Sequence, residues 1–178
     1  MYELAQYTAE DCRAFCVEKN GEAPEVRVSC CTGTGARALV VEGHLHFMIM
    51  ELLKNSMKAM MDQYPGARLL DAPPIEVLVS VQGGEVGVRV SDTGGGIPAH
   101  HRHRAMRFFF TSHVEGEANY TYSKNFGAKF TGYGVGLAMA RLYARTAGGD
   151  IGLSVLPGHG TDATLVINKH GTAAIPFE

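Results

Sequence analysis

Between His44 and Gln63 the chain sets Glu51, Lys54, Asn55, Lys58 and Asp62 among Met48, Ile49, Met50, Leu52, Leu53, Met57 and Met60. At 100° per residue, these polar side chains fall in a stripe about 100° wide on a helix that is otherwise apolar. A helix buried on most sides must turn such a stripe to water, a partner or a polar cavity. A solvated stripe with ordinary i,i+4 pairs accounts for it by itself, so any chemistry depends on what else the chain brings there.

Three further clusters supply candidates. Asp92-Thr93-Gly94-Gly95-Gly96-Ile97 follows an alternating apolar run. Its glycines let the backbone take positive φ and approach a flat ring, and a carboxylate at a strand end can accept a hydrogen bond from an exocyclic amine such as adenine's. Alone it is also a Gly-rich turn capped by Asp. Gly132-Tyr133-Gly134-Val135-Gly136-Leu137 opens a predicted helix, where backbone N–H groups and the helix dipole form a phosphate cradle. Its G-x-G-x-G spacing after a loop is not the dinucleotide-binding G-x-G-x-x-G after a first strand. Gly160-Thr161-Asp162 stands at a predicted strand start, where the Thr161 hydroxyl can complete a shell around a base.

The elements that must position these groups are legible from periodicity. Residues 3–19 carry Leu4, Cys12, Phe15 and Cys16 at helical spacing, with Asn20-Gly21 as C-cap. Val26, Val28 and Cys30 alternate as a strand, and 38–41 reads as a second short strand. The central helix runs from His44 to Gln63 and stops at Pro65-Gly66. Ile75 to Val81 and Val86 to Val90 alternate around Gly83-Gly84, a hairpin signature. A short helix is expected over 98–107, starting at Pro98. Residues 112–132 show no sustained period, and their length marks them as a functional lid. A helix over 135–147 closes on Gly148-Gly149, and 151–156 and 164–167 read as strands around Pro157-Gly158-His159-Gly160. No repeat or linker appears. The expectation is one α/β domain over residues 1–178, with a mixed sheet and helices mainly on one face.

Composition narrows the function classes. The 178 residues are 46% hydrophobic and 19% charged with net charge −2, which excludes disorder and a disulfide scaffold and leaves no global field to recruit nucleic acid. The apolar runs are too short for membrane insertion. Cys12, Cys16, Cys30 and Cys31 lack zinc spacing and read as reduced thiols. The run His100-His101-Arg102-His103-Arg104 lacks converging ligand geometry and reads as a solvated basic turn.

Taken in order, helix with Glu51-x-x-x-Asn55, then Asp92-x-Gly94-x-Gly96, lid, Gly132-x-Gly134-x-Gly136-Leu137 and Gly160-Thr161, the chain resembles the ATP-binding domain shared by gyrase, heat-shock chaperone, histidine-kinase and mismatch-repair ATPases. The match spans roughly residues 44–168. It implies a Bergerat-type two-layer sandwich with ATP between the sheet, the central helix and the lid. Glu51-Leu-Leu-Lys-Asn55-Ser-Met-Lys58-Ala, Phe110-Thr111-Ser, Arg141-Leu-Tyr143-Ala, Gly148-Gly149 and Gly160-Thr-Asp162 resemble the mitochondrial kinases of the branched-chain 2-oxoacid and pyruvate dehydrogenases. There are two departures. Phe47 stands four residues before Glu51, where some members have His, and Ala138 follows Gly136-Leu137 where Pro is frequent.

The resemblance implies an ATP- and Mg²⁺-dependent protein serine kinase. In it Glu51 is general base, Asn55 holds the metal, Asp92 reads adenine with Thr161 in support, and Gly132, Gly134 and Gly136 wrap the phosphates. Lys58 is a phosphate cation; Lys129 reads as a solvated lid residue. Gly94, Ile97, Thr111, Tyr133, Val135 and Leu137 complete the nucleotide shell. The implied partners are a dehydrogenase subunit as substrate and the acyltransferase core, with a homodimer left open, in the mitochondrial matrix. The family's preceding all-helical domain has no counterpart in residues 1–43. A histidine-kinase ATP domain and a non-catalytic ATP-driven module remain the alternative readings.

Overall fold

A computed structural model describes residues 1–31, 37–108 and 134–170. Helix α1 (Tyr2–Asn20) is followed by strand β1 (Val26–Cys30) and the long helix α2 (Glu42–Gln63). A hairpin of β2 (Ile75–Gln82) and β3 (Glu85–Asp92) comes next, then a short helix α3 (Ala99–Arg102). Helix α4 (Gly136–Thr146) and strands β4 (Asp150–Leu156) and β5 (Gly160–Asn168) complete the described fold. The sheet order is β1-β2-β3-β5-β4, with β1 and β2 parallel and every other pair antiparallel.

The strand alternation decides which face is covered. Ile75, Val77, Val79, Val86, Val88, Val90, Ile151, Leu165 and Ile167 point to one side and are buried beneath α1, α2 and α4. The opposite positions, Arg27, Ser29, Glu76, Arg89, Gly152 and Ser154, are exposed. This is the expected two-layer α/β sandwich with a mixed sheet and helices on one face. Helix α2 is its spine: Leu45, Met48, Ile49, Leu52, Leu53, Ser56, Met57 and Met60 are buried at i, i+3 and i+4 spacing. Helix α1 lies across it on small side chains, Ala5, Thr8, Ala9, Cys12 and Cys16, and ends at Gly21, whose φ of 83° suits glycine. Gly83 and Gly84, at φ 64° and 88°, form the turn that lets β2 and β3 pair closely.

Several elements differ from expectation. Among the described residues, 38–41 join no strand: they alternate in burial, but Leu39 N–H reaches Lys169 O (2.8 Å), beyond the end of β5, and that bond alone makes no ladder. The helix expected over 98–107 is regular only from Ala99 to Arg102 and continues as turns. There Arg102 Nε turns back to Ile97 O (3.1 Å). A 3-10 turn, Gly66–Leu69, buries Leu69 after the Pro65 stop. Strand β5 is longer than 164–167 because its pairing with β3 continues to Thr161, opposite Asp92. The expected lid lies outside the described residues.

Candidate nucleotide site

Asp92 is the last inward position of β3, continuing the row Val86, Val88, Val90. A carboxylate therefore points where the pattern calls for an apolar side chain. It is only 8% exposed, and a buried charge must be hydrogen-bonded. Oδ1 accepts from Gly94 N–H (3.0 Å) and from Thr161 N–H (3.3 Å), while Oδ2 accepts from the Ser56 hydroxyl (2.8 Å). Burial pushes the Asp92 carboxyl up from the usual range; the Gly94 N–H, the Ser56 hydroxyl and the Thr161 N–H oppose that rise, and Asp162 adds to it. Ser56 is itself a polar residue in the apolar row of α2, so two local exceptions to the hydrophobic pattern meet.

The glycines of the Asp92 segment have reasons internal to the protein. A Cβ on Gly94 would meet Ala59 Cβ at 2.5 Å and its backbone carbon at 2.7 Å; one on Gly96 would meet Leu156 O at 2.9 Å and Gly160 O at 3.0 Å. Gly95 and Gly96 also have φ of 82° and 77°. The corner is bonded in both directions to the β4–β5 turn: Gly95 N–H donates to His159 O (3.1 Å) and Gly158 N–H donates to Gly95 O (2.9 Å). Gly160 allows the backbone of Asp92 to pass, since a Cβ there would overlap the Asp92 carbonyl oxygen. Ile97 is half-buried at the exit of this corner.

At the other end of the stripe, Gly134 has φ 71°, Val135 is the N-cap of α4 and Gly136 its first residue. A Cβ on Gly136 would overlap the Glu51 carboxylate. Glu51 Oε1 is paired with Lys54 Nζ at 2.6 Å, the two side chains being 14% and 24% exposed. Asn55 and Asp62 are exposed, and Lys58 is half-buried. Burial lowers the Lys58 ammonium below its usual range, an effect opposed by Asp62. Leu137, the second residue of α4, packs against the core. Phe47 stands edge-on to Tyr143, with centroids 5.4 Å apart, and His44 stacks on the same ring at 4.3 Å. The position four residues before Glu51 is thus apolar packing between α2 and α4.

Two glycine segments therefore converge on one stripe, Gly136 at Glu51 and Gly94 at Ala59, eight residues or about 12 Å apart along α2. The fold brings Asp92 together with Ser56, Gly94 and Thr161, Gly96 with Gly160, and Gly136 with Glu51; Asn55 and Lys58 lie on α2 between these two groups, Gly134 and Val135 lead into Gly136, Ile97 ends the glycine corner, and Leu137 packs into the core. Thr111, Gly132, Tyr133 and Lys129 lie outside the described residues. Sequence reasoning missed Ser56 and the reciprocal bonding through Gly158 and His159. The signal for Ser56 was a hydroxyl in an apolar helical row. Among the described residues no three His, Cys, Asp or Glu side chains converge as a metal cluster. No helix among the described residues is long and apolar enough to cross a membrane. Among the described residues, Cys12 and Cys16 are buried thiols and Cys31 an exposed one.

Comparison with known proteins agrees with this geometry. Residues 40–171 match the family of histidine kinase-, DNA gyrase B-, and HSP90-like ATPases. The mitochondrial [pyruvate dehydrogenase (acetyl-transferring)] kinase of Arabidopsis thaliana is 33% identical over 179 residues, covering 98% of this chain and 48% of that protein. Its Schizosaccharomyces pombe counterpart is 31% identical over 183 residues, covering all of this chain and 42% of that protein. Human isozyme 4 is 31% identical over 176 residues, covering 97% of this chain and 41% of that protein. The chain spans less than half the length of these curated relatives. With the family match covering the central helix, the three glycine-bearing segments and strands β2 to β5, the chain belongs to the histidine kinase-, DNA gyrase B- and HSP90-like ATPase family.

Proposed function

We propose that this chain is the ATP-binding domain of a protein serine kinase acting on a 2-oxoacid dehydrogenase, pyruvate or branched-chain. The observation that carries the reading is the buried Asp92 carboxylate. Three protein donors hold it, one of them Ser56 of α2, five residues along the same helix from Glu51, which meets the first residue of α4. A carboxylate so oriented has acceptor capacity left for an adenine amine. The stripe then leads toward backbone N–H groups suited to phosphate.

In this reading Asp92 selects adenine, and Ser56 and Thr161 keep its oxygens oriented. Asn55 offers an exposed amide oxygen to Mg²⁺, an ion that takes few protein ligands alongside substrate phosphates. Glu51 accepts the proton of an incoming serine hydroxyl, Lys58 faces phosphate, and the residues of the segment 132–137 enclose it. Phosphoryl transfer depends chiefly on such positioning and charge neutralisation. The mitochondrial matrix, a dehydrogenase subunit as substrate, docking to an acyltransferase core, a homodimer and a helical domain supplied outside residues 1–178 belong to the same proposal. They rest on similarity to the mitochondrial kinases.

The first test is a melt with Mg-ATP. Ligand at a hundred times its dissociation constant adds about 2.7 kcal/mol, and GTP should give far less. No shift with millimolar Mg-ATP, or equal shifts with GTP, counts against the assignment. Transfer of labelled phosphate to a dehydrogenase serine, rather than to a histidine or to no protein, tests the kinase step.

A further inference from the structure

Lys54, a member of the polar stripe, forms an ion pair with Glu51 across one turn of α2. Its Nζ lies 2.6 Å from Glu51 Oε1, one turn along the same helix face, and both side chains are largely shielded. The other oxygen of Glu51 occupies the space that a Cβ on Gly136 would need. The carboxylate is therefore wedged between an ammonium group and the first turn of α4.

Helix α4 brings no negative charge of its own to this end. It has 11 residues, no side-chain cap bond and no acidic residue in its first turn. The one carboxylate described at Gly136 comes from across the interface, from Glu51. An anion of the nucleotide class proposed above, bound along Gly134–Gly136, would meet that carboxylate at close range, and like charges in a shielded site oppose one another.

We infer that Lys54 is a phosphate-binding residue and that Glu51 is its resident counter-ion in the nucleotide-free protein, displaced from Lys54 when a polyphosphate arrives. The inference rests on the nucleotide reading and deepens it. The ion pair keeps the lysine ordered and the cradle neutral until phosphate exchanges for carboxylate. The affinity of the site for phosphate is then lower than its cationic groups alone would give.

The test is calorimetric binding of ATP, ADP and adenosine to the whole chain in EDTA, which removes any contribution of Glu51 to a metal. Glu51→Gln preserves the side-chain shape. It should tighten ATP and ADP roughly three- to tenfold and leave adenosine unchanged. Lys54→Met should weaken ATP about tenfold, Lys54→Arg should restore most of the loss, and neither should change adenosine binding. Unchanged or weaker ATP binding by Glu51→Gln overturns the inference, as does an equal gain for adenosine, which would mean repacking. If the parent binds adenosine and ATP equally well, phosphate is not recognised and the Lys54 assignment falls while the adenine site stands. If the parent binds neither, the nucleotide reading itself falls, and this inference with it.

Discussion

Asp92 and Asp150 are both aspartates beside hydrogen-bond donors, yet their surroundings move them in opposite directions. Asp92 is raised by burial. Asp150, half-exposed, is held well below the carboxylate range by the Arg141 guanidinium, which reaches it at 2.6 and 2.9 Å, while burial partly opposes the shift and Ile151 N–H and Arg145 add to it. The sign for each follows from linkage. Asp150 is lower in the native state than its unfolded value of about 3.9, so it contributes stability above that value and loses it as pH falls. Asp92 is higher in the native state, so its contribution is present below about pH 3.9 and is lost as pH rises through the native value. Urea melts from pH 6 down to 3 should therefore show a shallower loss in Asp150→Asn than in the parent; an identical slope would remove Asp150 from the account.

At Asp92 itself the scaffold and ligand roles separate. Asp92→Asn keeps an oxygen for the Gly94 and Thr161 N–H groups but cannot accept the adenine amine on its nitrogen side. ATP affinity should fall about ten- to a hundredfold, the worth of a hydrogen bond to a charged group, with a near-parental melt. Asp92→Ala leaves three donors without an acceptor and should cost about 1–3 kcal/mol for each that stays dry. Urea unfolding of both variants, beside ATP titrations, would expose a failure of this separation.

At the scale of elements, the close approaches are between a loop and a helix, and glycine permits them. Gly94→Ala drives a methyl group into Ala59 of α2, between backbone segments that cannot rotate aside. The expected loss is about 1–3 kcal/mol by overpacking. Gly152→Ala, in β4 with open space where the Cβ would stand, should stay within about 0.5 kcal/mol of the parent. If the two urea midpoints move together, the Gly94–Ala59 contact does not hold the corner. Asn55→Ala belongs to α2 as well: its side chain is exposed, so the substitution should weaken ATP binding in Mg²⁺ and leave binding in EDTA unchanged.

At the scale of the whole molecule, thiol chemistry reads the fold. Cys12 and Cys16 are fully buried between α1 and α2, with their sulfurs 3.6 Å from those of Met57 and Met61. Burial pushes the Cys12 thiol up to about 12. Cys31 is exposed at the end of β1. A thiolate-seeking reagent at pH 8 should label Cys31 quickly and Cys30 more slowly. Labelling of Cys12 and Cys16 should track global unfolding in urea. Rapid labelling of Cys12 in the native protein would show that α1 detaches locally from α2.

The sequence by itself determined the spine helix, the hairpin, the one-sided sheet and the order of the glycine segments. Each is written in a local period, in a turn that only glycine allows, or in a short motif. It also held two exceptions that matter, one read and one not: Asp92 ends the row Val86, Val88, Val90, and Ser56 interrupts the apolar row of α2. Only the tertiary structure decided that these exceptions meet, because their pairing spans 36 residues and depends on how α2 lies across β3. The same holds for Thr161, placed beside Asp92 by a strand register 69 residues away, and for Gly136, whose missing Cβ is needed by a carboxylate on another helix. Residues 38–41 failed as a strand for the complementary reason. Alternation is local, but a strand exists only when a neighbouring backbone lies alongside to receive its hydrogen bonds.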